Sequence, residues 1–181
     1  MARPYQPSLL RLLHGTTAAG VVLAWLSGLF VYSQYDGRWG RLPIRLPGEW
    51  IDIHGTVGVA LLPLAVLFAA YAFTLGRRQL ARASNALALT ALALAIGSGK
   101  LMQEDWLRQG NLSQLVYSLH LIAWGVMAMA VLAHLAGVLA RGGWPLAGSM
   151  ASLRLKAGDR PADWPRQLAK AVRRSDPPAR R

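Results

Sequence analysis

Four residues in this chain carry an imidazole, a side chain suited to binding a metal: His14, His54, His120 and His134. There is no cysteine to assist them. A neutral imidazole offers one lone pair to a metal and one N–H that needs an acceptor. His120 and His134 share the stretch Ser113–Ala140, which contains no Asp, Glu, Lys or Arg. Fourteen residues on a helix separate them by about 21 Å, at a rise of 1.5 Å each. At about 100° per residue that spacing falls about 40° short of four turns, so both rings lie on nearly one face. One helix therefore presents two imidazoles at two depths, and each requires a partner of its own.

The elements that must supply those partners are membrane helices. Of the 181 residues, 54% are apolar and 15% charged, against about 25% charged in a typical soluble domain. The charges gather between long apolar runs, as in a polytopic membrane protein. We expect an all-α transmembrane four-helix bundle with a basic cytoplasmic C-terminal tail, the bundle in residues 1–148 and the tail in 149–181. The spans fall roughly at Leu12–Tyr32, Ile51–Leu75, Ser84–Met102 and Ser113–Ala140. The first apolar run is too long for a signal-peptide core and lacks a convincing cleavage site, so it is read as a retained span.

Along the spans, Gly15, Gly20, Gly28, Gly55 and Gly58 leave clearance for a helix or a flat cofactor. Trp25 and Tyr32 suit packing or the membrane interface, and Pro63 should kink the second span. The third span has no histidine and is taken as the structural member that closes the bundle. Asn111 or Ser113 is expected to cap the fourth. The polar loop from Ser33 to Trp50 is rich in Pro and Gly, and Trp50 and Trp106 read as belt residues at loop ends. In the tail, Ser149–Lys156 and Ala162–Arg174 are expected as surface helices, the latter with Trp164, Leu168 and Val172 on its apolar side. They would lie on membrane lipid of an anionic leaflet. The last residues, SDPPARR, read as disordered.

The net charge of +12 fits topology. With the N-terminus inside, fifteen basic residues fall on the inner side and five outside, where five acids offset them. Both termini are then cytoplasmic. Half of the 20 basic residues follow the last span and no recognition module is present, which argues against nucleic acid as a partner. Without cysteine there is no disulfide, no Cys-ligated iron–sulfur cluster and no thioether-attached haem.

Tracing the spans across the bilayer puts His14 and His134 near the inner face and His54 and His120 near the outer. Two imidazoles on facing helices can hold haem iron axially without covalent attachment, which makes a low-spin electron-transfer site. Two such sites, with pairs His14/His134 and His54/His120, would form an electron path across the membrane. A proton relay fits less well, because no Asp or Glu lies mid-span. The separation of the pairs opposes a single His-rich metal cluster. A non-redox protein docking through its basic tail is the remaining alternative.

This plan resembles the four-helix di-haem cytochrome b561 of bacteria, together with the related b-type cytochrome subunits of hydrogenases and formate dehydrogenases. The matching text is RLLHG at Arg11–Gly15, IDIHGTVG at Ile51–Gly58 and LHLIAWGVMAMAVLAHLAGVL at Leu119–Leu139, within residues 8–155. Hydrogenase subunits usually carry a fifth span, which is not seen here. The resemblance implies two haem b groups in a bacterial inner membrane, with His14 and His134 ligating the inner haem and His54 and His120 the outer. It implies quinone as an electron partner. The other partner would be a periplasmic cytochrome or a dehydrogenase subunit that the chain anchors, or superoxide if the chain is a stand-alone superoxide:quinone oxidoreductase. Whether the chain is an enzyme stays open at this point. Arg38, Arg41, Arg45 and Arg108 would pair with haem propionates or attract an anion or acidic partner, or simply belong to a solvated loop.

Overall fold

The computed structural model describes residues 4–35, 38–43, 45–104 and 110–175, with side chains through residue 170. Arg3, Asp36, Asp105, Trp106, Arg108, the side chain of Val172 and residues 176–181 lie outside that description. Six α-helices are described: α1 (Ser8–Tyr35), α2 (Trp50–Phe73), α3 (Arg77–Leu80), α4 (Ala83–Leu101), α5 (Gly110–Ser149) and α6 (Trp164–Ser175). There is no strand among the described residues.

The fold is an all-α bundle. Helices α1, α2, α4 and α5 are each long and apolar enough to cross a membrane. A helix meets the demand of lipid because it satisfies its own backbone N–H and C=O groups. Their outward residues are apolar and uncovered, with Val59 at 62% exposure, Leu132 at 66% and Met129 at 72%. A surface of that kind belongs against lipid rather than water.

Inside, Leu61, Ala65, Ala91, Leu92, Met127 and Ala130 form the buried core where α2, α4 and α5 meet. Alanine dominates because small side chains let helix backbones approach. Gly20 performs the same service for α1. A Cβ there would stand 2.8 Å from Leu61 Cδ1. The bundle is built as two hairpin-like pairs. α1 packs along α2 and α4 along α5, whereas the backbones of α1 and α5 stand further apart and meet through side chains.

The boundaries differ from the sequence expectations in four places. The last span is longer, continuing to a kink at Gly143, whose φ of 58° is open to glycine, with Pro145 two residues further on. Neither Asn111 nor Ser113 caps α5. Its first residue is Gly110 at φ 60°, and Ser113 Oγ donates back to the Gly110 carbonyl at 2.8 Å. A single turn, α3, stands between α2 and α4, after Gly76 N–H closes on the Tyr71 carbonyl at 2.8 Å. Ser149–Lys156 is not a helix. The carbonyls of Ser152 and Arg154 turn aside to accept from the Arg11 guanidinium. The helix expected at Ala162–Arg174 is present as a 3₁₀ turn, Pro161–Asp163, leading into α6.

The tail does not hang free, because it folds back onto the start of α1. The Asp159 carboxylate, 8% exposed, accepts from Ser8 N–H at 2.8 Å, from Ser8 Oγ at 3.0 Å and from the Tyr5 hydroxyl. A carboxylate on the first N–H of a helix satisfies an orphan donor and complements the helix dipole. Trp164 Nε1 donates to Ser8 Oγ at 2.9 Å, and Arg11 and Lys156 both lie over the Tyr5 ring. The start of α1 and the described part of the tail therefore lie at one end of the bundle, called here the terminal end. The opposite end is the loop end.

Burial alone would raise the Asp159 pKa, but the bonds from Tyr5, Ser8 and Gln167 outweigh it and hold the carboxyl below its ordinary value of 3.8. The latch stabilises fully above that ordinary value and weakens as pH falls through the lower folded one. Asp159→Ala removes the acceptor for four donors and should cost about 1–3 kcal/mol. Trypsin cleavage of the tail at Arg154 and Lys156 should then accelerate about tenfold at neutral pH, if opening is fast relative to cleavage. An unchanged cleavage rate would show that other contacts hold the tail.

Candidate functional site

The four histidines come together in two pairs. His14 of α1 faces His134 of α5, with ring centroids 6.0 Å apart and planes at 35°. His54 of α2 faces His120 of α5, with centroids 5.9 Å apart and planes at 65°. The first pair is at the terminal end and the second at the loop end, as the depth argument expected. All four side chains are half-buried. Among the described residues, no three His, Cys, Asp or Glu side chains converge on one point.

These separations fit one metal between each pair. With an imidazole–metal bond of about 2.0–2.1 Å, two opposed rings on a single metal have centroids roughly 6 Å apart. His134 Nδ1 is a buried polar atom with no hydrogen-bond partner, so the terminal-end pair does not satisfy itself. A flat macrocycle is compatible with the surroundings of three glycines. A Cβ at Gly15, Gly55 or Gly58 would meet nothing within 4 Å.

At the loop end the rings are held by two side chains that sequence reasoning passed over. Ser27 Oγ lies 3.0 Å from His54 Nδ1, and Ser98 Oγ lies 2.9 Å from His120 Nδ1. Each serine is followed by a glycine. A Cβ on Gly28 would stand 3.1 Å from His54 Cε1, and one on Gly99 would stand 3.1 Å from His120 Cε1. The same Ser-Gly pair thus cradles a ring twice, once from α1 and once from α4. The fourth-span partner α4 does more than close the bundle. The available signal was the repeated dipeptide, in LSGLF and in GSGKL.

Between the two pairs, Trp25 and Trp124 stack at 4.6 Å with planes 10° apart, and Trp124 Nε1 donates to the Trp25 carbonyl at 3.1 Å. Trp25 is therefore a packing residue. Tyr32 donates to the Gly40 carbonyl and accepts from Trp39 N–H, which ties the loop to α1. Trp50 packs on Phe30 with ring centroids 4.5 Å apart. Of the loop arginines, Arg38 reaches α5, donating to Ser118 Oγ at 2.5 Å and to Gln114 Oε1 at 2.6 Å, with its guanidinium over Tyr117. Arg41 and Arg45 are exposed.

Four membrane-length helices, three of them carrying opposed imidazoles at two depths, make the frame of a membrane electron carrier of the cytochrome type. The family model for prokaryotic cytochrome b561 matches residues 5–152. The chain belongs to that family, whose members bind haem. Comparison with curated proteins and with solved structures gives no match.

Proposed function

We propose that this chain is a di-haem b-type cytochrome that carries electrons across a bacterial inner membrane, between a redox partner on the periplasmic side and the quinone pool. The observation that carries the reading is the twofold pairing of imidazoles at 6.0 and 5.9 Å, one pair at each end of the bundle. His14 and His134 ligate the inner haem b, and His54 and His120 the outer. Bound haem iron supplies a one-electron ferric/ferrous couple at each site. The bundle, residues 1–148, holds the four rings at fixed depth and excludes water from them. The tail, residues 149–181, is cytoplasmic, as is the N-terminus, in line with the excess of basic residues on that side.

Two related readings share these ligands: a superoxide:quinone oxidoreductase, and a haem-bearing anchor subunit of a dehydrogenase. The anion-guiding role that superoxide chemistry would ask of the loop arginines is supported less by Arg38, whose guanidinium is engaged with Gln114 and Ser118. Stopped-flow mixing separates the carrier from the superoxide:quinone oxidoreductase. Dithionite-reduced protein, freed of excess reductant, should be reoxidised by a soluble ubiquinone analogue within seconds. Oxidised protein should gain no electrons from superoxide faster than superoxide dismutates. Reduction by superoxide would replace the carrier reading with the oxidoreductase. No reoxidation by quinone would overturn both.

A further inference from the structure

The two imidazole pairs differ in how their outer nitrogens are held. Ser27 Oγ lies 2.8 Å from the Leu23 carbonyl, and Ser98 Oγ lies 2.7 Å from the Leu94 carbonyl. Two oxygens so close without a shared proton would repel, so each hydroxyl donates its single hydrogen to its own helix. Toward the histidine it can then only accept. His54 and His120 therefore carry their protons on Nδ1, and the lone pairs on Nε2 are left for a metal. Among the described residues no serine stands in this way at the terminal end, and His134 Nδ1 is buried without an acceptor.

A histidine that donates its second N–H becomes a more basic ligand. A more basic ligand favours ferric over ferrous iron, and hydrogen bonding around the ligands is one of the levers that set a haem's potential. Arg141 lies on the turns after His134, with its guanidinium beside Gly137. A cation there favours ferrous iron at the terminal end, so it adds to the difference in the same direction as the hydrogen bonds.

We propose that Ser27 and Ser98 are positioning residues for His54 and His120, and that their hydrogen bonds make the loop-end iron site the lower-potential of the two. This rests on the haem reading above. With that ordering, electrons run downhill from the loop end to the terminal end.

The test is a spectroelectrochemical titration of purified holoprotein in nanodiscs, for wild type, Ser27→Ala, Ser98→Ala, the double Ala variant and the two Ser→Thr variants. The His134→Ala background isolates the loop-end component and assigns it. The lower midpoint should rise on each Ala substitution and the upper should stay. In the double variant the ferric/ferrous equilibrium should move about tenfold, which is 59 mV for a one-electron couple. Threonine, which keeps the hydroxyl, should retain the wild-type value. Two haems with an unshifted lower midpoint overturn the proposal and leave the haem reading intact, as does a shift confined to the upper midpoint. Loss of one haem in the Ala variants but not in the Thr variants supports the hydroxyl's positioning role, and loss in both overturns it. A wild-type preparation without two haems removes the haem reading and this proposal together.

Discussion

Replacing His134 with alanine should halve the haem content, from two per chain to one, and spare the loop-end haem. His134 serves only the pair with His14, at a 6.0 Å centroid separation. It lies about 21 Å along α5 from His120 at the helical rise of 1.5 Å per residue. Alanine is the best helix former, so α5 itself should persist. Nothing at the loop end changes, because His54 and His120 remain bonded to Ser27 and Ser98. The readout is pyridine haemochrome against protein concentration, with the optical spectrum of the remaining haem. Equal loss of both haems in a protein that still migrates as a folded monodisperse species would break the pairing.

The double variant His120→Ala/His134→Ala should be colourless and far less stable. α5 supplies one ligand to each pair, so this one helix ties α1 and α2 to α4 and α5 through both cofactors. Without them the two helix pairs meet mainly through the small core of Leu61, Ala65, Ala91, Leu92, Met127 and Ala130. Binding at 1,000 times Kd contributes about 4.1 kcal/mol per site. At roughly 2–4 °C of Tm per kcal/mol for a chain of this size, loss of two sites should lower Tm by roughly 15 °C or more. Differential scanning fluorimetry in one detergent gives the comparison. A shift under about 5 °C would mean that protein packing alone carries the bundle.

Both expectations begin in features that the sequence displays openly. Charge-free runs locate the four membrane helices, because lipid permits little else, and the depth of each histidine follows from the direction in which its helix runs. That sufficed to match His14 with His134 and His54 with His120. What stayed hidden depends on the rotation of one helix against its neighbour. Ser27 and Ser98 are ordinary serines within apolar spans until α1 and α4 turn them toward a ring. Gly20 reads as generic clearance until Leu61 is seen against it. The Asp159 latch was hidden for another reason. One of three acids in a basic tail looks solvated, and its partners, Tyr5 and Ser8, are more than 150 residues away in sequence. The missing helix at Ser149–Lys156 has the same origin, since those carbonyls are claimed by Arg11 from the far end of the chain.

The most direct test of the whole account is the haem stoichiometry and spin state of the purified chain, read by haemochrome assay and by low-temperature electron paramagnetic resonance. Four imidazoles in two opposed pairs require two haems per polypeptide, both low-spin and six-coordinate. One haem per chain, or a high-spin signal from a fully loaded protein, would contradict it.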